Sequence, residues 1–302
     1  MPTSVLTRQW RPPWPVDARG TLSPHRRGAG DPAYQITPDG AVWRASHTPD
    51  GPGTLRIVPG RELVEAAAYG PGAGWLLDGL PDLLGAGDDP AALTPGHRAL
   101  RDAVLRQPGL RIGRTRRVFE ALVPAVLEQK VVSREAWRAW RYLLRRFGEP
   151  APGPPASAGA PRLRVPPPPQ VWAEIPSWEW HRSGAEAVRA RTIVHAARLA
   201  SRLEDRASDE TLRSLPGIGV WTSAEIRQRA LGDPDAVSVG DYHLPGLVGW
   251  ALAGTKVDDA GMLELLAPYQ GQRYRVTRLL ELSGGGPPRR GPRMPVRDYR
   301  AF

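Results

Sequence analysis

The spacing of apolar and polar residues changes along the chain, and the change predicts two kinds of structure. Residues 31–58 contain three short alternating runs, AYQI, AVWRAS and TLRIV, which are separated by PDG and PDGPG. This pattern is typical of strands joined by hairpin turns. RELVEAAAY at 61–69 and GWLLDGLPDLL shortly after it predict helices. We therefore expect a small α+β domain over residues 1–95.

From residue 96 onward the apolar residues recur with helical spacing. Phe119, Leu122, Val123 and Val126 lie at i, i+3, i+4 and i+7, and the helix of SREAWRAWRYLLRRF is expected to have Ser133 as its N-cap. Further helical patterns follow the Pro-rich stretch, at 184–203, 208–214, 219–231, 241–252, 258–267 and 271–282. A helical core over residues 96–283 is expected.

Two segments are poor in large apolar side chains. The first, EPAPGPPASAGAPRLRVPPPP at 149–169, predicts a linker or external loop that cannot fold alone. The second, residues 284–302, is rich in Gly, Pro and Arg, and predicts a flexible basic tail.

The composition excludes several kinds of chemistry. The 302 residues include no Cys, which excludes disulfides, thiolate metal sites, Cys nucleophiles and Cys-ligated iron–sulfur clusters. The formal charge is +10, and all but Lys130 and Lys256 of the 41 basic residues are Arg, which favours a phosphate-bearing partner. The sequence shows neither an apolar run of spanning length nor a signal-like apolar core, so we expect a cytoplasmic protein.

TLRSLPGIG at 211–219 predicts a hairpin between two helices. Gly217 and Gly219 permit backbone angles that side chains disfavour, so that amides can point outward towards a phosphate. An ordinary connection between two helices is the alternative. Phosphate contacts made by such a hairpin would hold nucleic acid without reading its sequence.

The hairpin is followed by a helix that starts near Trp221, a Gly/Pro-containing loop, and Asp241 at the head of the next helix. Together with FEALVPAVLEQKVVS at 119–133 and the spacing of Gly184, Arg191 and Ala200, this stretch resembles the helix-hairpin-helix (HhH-GPD) DNA glycosylase superfamily. Within it the chain is most similar to bacterial DNA-3-methyladenine glycosylase II. The resemblance spans about residues 96–283. It implies a mainly α fold, an all-helical core of two lobes behind a small N-terminal α+β domain.

The resemblance also implies a function, base excision repair by a monofunctional DNA glycosylase. Such an enzyme hydrolyses the N-glycosidic bond of flipped-out alkylated purines in duplex DNA. Asp241 would be the catalytic carboxylate, which stabilises the positive charge that develops on the sugar. Trp221 and Tyr242 would form walls of the base pocket, because aromatic faces attract cationic purines. The implied DNA contacts are Pro216, Gly217, Ile218, Gly219, Thr222, Gln129 and Lys130.

Cofactors and partners follow from the same resemblance. The backbone carbonyls of Arg213, Leu215 and Ile218 match a site for one monovalent cation, Na⁺ or K⁺, at the hairpin. No cofactor is expected to be required, and no iron–sulfur cluster is expected. The expected partner is double-stranded DNA with damaged bases, bound by a nucleoid-associated monomer that does not contact membranes.

Members of the superfamily that also cut the DNA backbone use a Lys amine at the position of Trp221 to form a Schiff base. No Lys occurs between residues 131 and 255, which favours water as the nucleophile. Two other functions stay open: a non-catalytic protein of the same fold that binds damaged DNA, and a glycosylase for another damaged base. The departures from the family pattern are Glu128 for Gly, Lys130 for a small apolar residue and Glu225 for an aromatic residue.

Several of these residues have simpler interpretations. Asp233 and Asp235 are expected to form Asx turns around Pro234. Core packing is the alternative role for Trp221 and Tyr242, and a structural or solvent-facing position is expected for His243. Trp178 and Trp180 either line the pocket or pack in the core; packing is favoured.

Overall fold

The N-terminal part of the chain forms an antiparallel sheet with helices on one face. The computed structural model of the protein describes residues 5–60, 62–154 and 159–288. The strands are β1 (Val5–Trp10), β2 (Tyr34–Ile36), β3 (Val42–Thr48), β4 (Gly51–Pro59) and β5 (Val64–Tyr69), in the order β1-β5-β4-β3-β2. Helices α1 (Ala18–Leu22), α2 (Ala73–Asp78) and α3 (Leu80–Leu83) bury an apolar core against the sheet. The three predicted strands are present, with Tyr34 opposite Arg44 and Val42 opposite Ile57.

The helix predicted over residues 61–69 is wrong, because Val64–Tyr69 form β5. Val64, Ala66 and Ala68 are buried and alternate with more exposed residues, which is the period of a strand. β5 pairs with β1 on one side and β4 on the other. Backbone hydrogen bonds to the strands on both sides outweigh the local helix propensity of the three consecutive alanines. β1, which covers one of these edges, was not predicted.

Helices make up most of the remaining chain. Their bounds are α4 (Arg98–Arg106), α5 (Val118–Leu127), α6 (Ser133–Phe147), α7 (Pro169–Glu174), α8 (Ser177–Ser183), α9 (Ala187–Arg198), α10 (Ala200–Arg206), α11 (Asp209–Arg213), α12 (Val220–Ile226), α13 (Leu244–Ala253), α14 (Asp259–Leu266) and α15 (Arg273–Leu282). A π-helical turn over Arg227–Leu231 continues α12. One apolar core joins α5 to α12, and a second joins α4 to α13, α14 and α15. The predicted fold of two helical lobes behind an α+β part is therefore confirmed.

Several helix ends differ from the prediction: the helix predicted from 241 begins at Leu244, and the starts predicted at Gly184 and Ser133 also shift. Gly184 adopts a left-handed conformation with φ +84° and ends α8, so the helix predicted from 184 begins only at Ala187. Ser133 is the first residue of α6 rather than its N-cap. The N-cap is Val132, whose carbonyl accepts the amide of Glu135 at 2.9 Å, and no side-chain cap bond is present there.

The Pro-rich segment 149–169 is anchored at both ends. β6 (Glu149–Pro150) pairs with β7 (Arg164–Val165), and Leu163 and Val165 pack against Trp43 of the sheet. The prediction of an external loop was therefore incomplete, since this segment supplies apolar side chains that cover the sheet. Residues 155–158 lie outside the described part of the chain, as do residues 289–302 of the predicted flexible tail.

Buried polar contacts attach the sheet region to both helical lobes. Asp31 accepts the indole N–H of Trp140 at 2.9 Å, and Arg44 forms an ion pair with Glu120 on α5. Asp88 forms an ion pair with Arg275 of the second lobe. Because the ion-paired side chains are buried, breaking one pair would leave an uncompensated charge, which is costly. The pairs therefore favour this orientation of the lobes against the sheet region. In the described ranges, no helix combines the length and the apolar character needed to cross a membrane.

Candidate functional site

The predicted hairpin is present, formed by α11, a tight turn and α12. Ser208 caps α11 by accepting the amide of Thr211 at 3.0 Å. Asp209 then ties the two helices together, because it accepts the Ser223 hydroxyl at 2.7 Å and pairs with Arg227 at 2.9 Å. Partial burial acts to raise the pKa of Asp209, but the Ser223 hydroxyl and the guanidinium groups of Arg227 and Arg213 outweigh it and hold that pKa below its ordinary value. These contacts hold the two helices of the hairpin together.

The two hairpin glycines serve different purposes. Gly217 has φ +86°, and a Cβ atom there would lie 2.1 Å from the Thr192 hydroxyl on α9, so the residue has to be glycine. Gly219 has φ −93° and ψ −174°, an extended conformation open to any residue, so the backbone reason predicted for it was wrong. A Cβ atom on Gly219 would meet nothing within 4 Å. Its missing side chain therefore leaves open space beside the backbone.

The candidate DNA contacts divide into exposed and buried groups. Pro216, Gly217 and Gly219 are exposed at the turn. The side chains of Ile218 and Thr222 are buried, with 5% and 2% of their surface exposed. Ile218 and Thr222 can therefore reach a ligand only through backbone atoms. The first amides of α12 suit that role, since helix geometry provides them with no carbonyl partner in their own helix.

The loop after α5 is fastened to the hairpin. The Gln129 side-chain amide donates to the Gly217 carbonyl at 2.9 Å and to the Thr222 hydroxyl at 2.8 Å. Arg189 on α9 donates to the Gln129 carbonyl at 2.8 Å. Lys130 follows in a left-handed conformation with φ +53° and is exposed. Gln129 therefore braces the hairpin, while Lys130 occupies the exposed tip beside it.

Asp241 lies just before α13 and is held by three neutral donors. One carboxylate oxygen accepts the amides of His243 at 2.7 Å and Leu244 at 2.9 Å. The other oxygen accepts the indole N–H of Trp221 at 3.1 Å. Among the described residues no cation forms an ion pair with Asp241. The carboxylate is thus fixed in place at the N-terminal end of a helix, where an anion is favoured.

Polar side chains of α12 and of the π-helical turn that continues it hold the loop that carries Asp241. Glu225 accepts the Ser238 hydroxyl at 2.6 Å, and Gln228 donates to the Ala236 carbonyl at 2.8 Å. Glu225 lies one turn after Trp221 and therefore shares its helix face. Arg229 completes this side by pairing with Glu225 at 2.8 Å. The sequence identified Glu225 only as a departure from the family; its position one turn from Trp221 was the available indication of this role.

Asp233 and Asp235 at the start of the same loop differ from each other. Asp233 accepts the amide of Asp235 at 2.9 Å, which confirms the predicted Asx turn. Asp235 instead accepts two amides, those of Gly271 at 2.7 Å and Arg273 at 3.0 Å, and the guanidinium of Arg273 at 2.8 Å. Its predicted turn role is wrong, because its carboxylate pairs with Arg273 at the start of α15 instead of accepting an amide of its own turn. Burial acts to raise the pKa of Asp235, but Arg273 outweighs it and holds that pKa below its ordinary value.

The candidate pocket aromatics lie outside the apolar cores. Trp221 is half-buried, and Tyr242 is 81% exposed with its ring edge-on to His243. His243 is itself exposed, as expected. Of the two further candidates for the pocket, Trp180 is buried in the core and Trp178 is exposed on the surface. Trp221 and Tyr242 therefore remain available to a ligand beside Asp241.

The carbonyls of Arg213, Leu215 and Ile218 stay a prediction as cation ligands. The Leu215 carbonyl accepts the Ile218 amide at 3.1 Å and retains a second lone pair. Carbonyl oxygens are a donor type that suits hard cations. In the part of the chain that is described, no cluster of His, Asp or Glu has the arrangement of a metal site.

The chain is similar to a DNA repair protein over most of its length. No family model matches it. A protein of Mycobacterium tuberculosis, named as a probable bifunctional transcriptional activator/DNA repair enzyme AlkA, is 29% identical over 238 residues. The match covers 73% of this chain and 46% of that protein, so the chain spans about half the length of the relative.

Solved structures match the fold almost from end to end. A 3-methyladenine DNA glycosylase from Archaeoglobus fulgidus has a TM-score of 0.74 at 18% identity, covering 90% of this chain and 97% of that one. An 8-oxoguanine glycosylase/lyase from Clostridium acetobutylicum has a TM-score of 0.70 at 12% identity, covering 93% of this chain and 99% of that one. The fold implied by the sequence resemblance is thereby confirmed: the chain shares the fold of these DNA glycosylase structures.

Proposed function

We propose that the protein is a DNA glycosylase of the DNA-3-methyladenine glycosylase II type. It hydrolyses the N-glycosidic bond of flipped-out alkylated purines in duplex DNA and leaves the backbone intact. The observation that carries this proposal is the geometry of Asp241, a carboxylate beside Trp221 that is held by three neutral donors and pairs with no cation of the described residues. The DNA repair relative supports it, and the two glycosylase structures support the fold that it requires.

DNA is held by the hairpin and the neighbouring loop. The exposed backbone at Gly217 and Gly219 and the exposed Lys130 lie on elements that Gln129 joins directly. Backbone amides bind phosphates without reading bases, which suits an enzyme that has to examine any sequence. The net charge of +10 strengthens this attraction.

The damaged base enters a space beside Trp221 and Tyr242. Flipping a base out of the duplex costs a few kcal/mol, and weakly paired or damaged bases cost least. An alkylated purine carries positive charge, so an aromatic face attracts it by about 0.5 to 2 kcal/mol, depending on desolvation. The bond from the Trp221 indole N–H to Asp241 fixes the plane of the ring. The same residue therefore shapes the pocket and positions the carboxylate.

Asp241 acts on the sugar. As the bond between C1′ and the base nitrogen breaks, the base leaves with the electron pair and positive charge builds on the sugar. A carboxylate about 4 Å away stabilises that charge by roughly 4 kcal/mol at an effective dielectric constant near 20. The oxygen of a water molecule then bonds to C1′ and loses a proton, and Asp241 orients this water. The cationic base departs as a neutral molecule, and the proton lost by the water passes to bulk solvent and carries the positive charge, so the charges balance.

Water is the nucleophile in this proposal because Trp221 occupies the position of the family's Schiff-base Lys. Lys130 and Lys256 are the two lysines of the chain, and both are exposed in loops. Borohydride should therefore trap no covalent adduct with damaged DNA. Trapping at either lysine would contradict the hydrolytic route.

A base-release assay tests the proposal. Duplexes with one 7-methylguanine, hypoxanthine, ethenoadenine or 8-oxoguanine are incubated with the full chain, and the free base and strand integrity are measured. We expect release of an alkylated purine and strand breakage only after alkali. Tight binding with no base released from any duplex would instead identify a non-catalytic damage-binding protein. Release of 8-oxoguanine alone would identify a glycosylase for another damaged base.

A further inference from the structure

A cavity of about 690 Å³ lies between α8 and α9, and the proposed function does not use it. Its lining residues come from positions 175–198 and include neither Asp241, Trp221 nor any residue of the hairpin turn. Cavities of roughly 300 to 1,000 Å³ are the usual size for small-molecule sites. Its volume is therefore suited to a ligand well above the size of a water molecule.

The floor of the cavity is apolar. It is formed by Ile175, Trp180, Ala190 and Val194. Trp180 donates its indole N–H to the Ile175 carbonyl at 3.2 Å, so its one polar group is already bonded within the protein. A ligand that covers this floor gains from burying its own apolar surface, at about 25 cal/mol per Å².

The rim of the cavity is basic. Arg191, His195 and Arg198 lie at i, i+4 and i+7 on α9 and share one exposed face, and His181 of α8 is also exposed at the rim. The one lining carboxylate, Glu186, pairs with Arg189 at 3.6 Å. Among the described residues, no carboxylate pairs with Arg191 or Arg198. An apolar floor under uncompensated cations complements a ligand with an apolar body and an anionic group.

We propose that the α8–α9 cavity is a second binding site, which takes a small organic anion with an apolar body, such as a carboxylate or phosphate on a ring system. Charge complementarity at Arg191 and Arg198 selects the anionic group, and the Trp180 floor selects the apolar body. A DNA phosphate backbone has the charge but offers no apolar body to fill the floor. None of the proposed DNA contacts lines the cavity.

The probe for this site is 8-anilinonaphthalene-1-sulfonate, an apolar ring system with one anionic group, compared with the uncharged N-phenyl-1-naphthylamine. Fluorescence titration of the full chain should show saturable binding of the sulfonate. Ala187→Trp places a large side chain at the exposed edge of the cavity and should weaken both probes at least about tenfold. Arg191→Gln with Arg198→Gln should weaken only the sulfonate, by about fivefold to tenfold.

The matched control is Arg202→Gln with Arg206→Gln, which removes the same charge from exposed positions of α10 outside the lining. It should leave both probes within about twofold, since two distant surface charges are screened. Thermal unfolding of each variant confirms that it is folded. Absence of sulfonate binding, equal loss in the control, no effect of Ala187→Trp, or displacement of the probe by duplex DNA would overturn the proposal.

Discussion

Asp235 and Asp241 lie near opposite ends of one loop, and both carboxylates accept several hydrogen bonds, yet only Asp235 pairs with a cation among the described residues. Asp235 bonds to the amides of Gly271 and Arg273 and also to the Arg273 guanidinium. Asp241 bonds to two amides and the Trp221 indole, and no cation pairs with it in the described part of the chain. Asp235 accepts four hydrogen bonds and Asp241 accepts three, so the main difference between them is the guanidinium that pairs with Asp235.

The difference indicates which carboxylate can act on a ligand. An ion pair cancels much of the field that a carboxylate projects, so Asp235 has little charge left to stabilise a cation elsewhere. Neutral donors orient Asp241 and support its charge without cancelling it, which is the arrangement expected of an electrostatic catalyst. Asp235 is a structural anchor, and Asp241 is the candidate catalytic residue.

The largest expected effect is that of Asp241→Asn on base excision. The variant keeps the shape and a side-chain oxygen for the amides, while losing the negative charge. Because that charge is proposed to stabilise the transition state by roughly 4 kcal/mol, excision should fall at least about a hundredfold, with folding and duplex affinity retained. Single-turnover excision and DNA binding are the measurements.

Asp235→Asn is the matched control in the same loop. It should slow excision less than about tenfold, because the lost charge is compensated in the folded protein. An excision rate for Asp241→Asn close to that of the wild type would end the proposed mechanism. The same conclusion follows if the variant fails only because it no longer folds.

Trp221→Phe tests whether the hydrogen bond from the Trp221 indole to Asp241 contributes to base excision. It removes the indole N–H and keeps an aromatic face, so Asp241 loses one of its three donors. A hydrogen bond to a charged group contributes about 1.5 to 3 kcal/mol, and excision should fall about tenfold with little change in duplex affinity. Trp137→Phe, which removes an indole donor to Glu128 at 3.3 Å, is the control. Equal rates for the two variants would show that the indole does not position the carboxylate.

Gly219→Val separates loss of DNA binding from loss of chemistry. The open space at Gly219 accepts a side chain without a clash, so the fold should be unaffected. If DNA approaches this backbone, affinity should fall about fivefold, equally for damaged and undamaged duplexes, and fewer phosphate contacts would reduce the salt dependence of binding. Gly217→Ala should instead destabilise the fold, because its φ is +86°. Unchanged affinity of Gly219→Val would remove this glycine from the interface.

The smallest expected effect is that of Asp235→Asn on stability. The pKa of Asp235 lies below its ordinary value of 3.8, so its contribution is complete above about pH 4 and is lost as the pH falls through the lower folded value. At pH 7 the variant should lose about 1 kcal/mol of unfolding free energy, since the pair is only partly exposed. In acid the two proteins should converge. A difference in urea unfolding that persists unchanged at pH 2 would contradict the assigned ion pair.

Local patterns predicted most of the helices and the three strands at β2, β3 and β4, because each depends on residues near one another in sequence. The sequence failed where distant partners decide the outcome. Residues 64–69 form a strand since β1 and β4 lie on either side of them. Asp235 leaves its expected turn role since Arg273 lies beside it.

The sequence by itself determined the chemical inventory and the local geometry of the site. It contains no Cys, places a glycine where the turn requires φ +86°, and puts Asp241 just ahead of a helix. Only the tertiary structure decided that Trp221 donates to Asp241 and that Gln129 fastens the neighbouring loop to the hairpin. It alone shows that Arg273 pairs with Asp235, whereas no cation in the described ranges pairs with Asp241. Charge compensation depends on distances between side chains, and chain folding sets those distances for residues far apart in sequence.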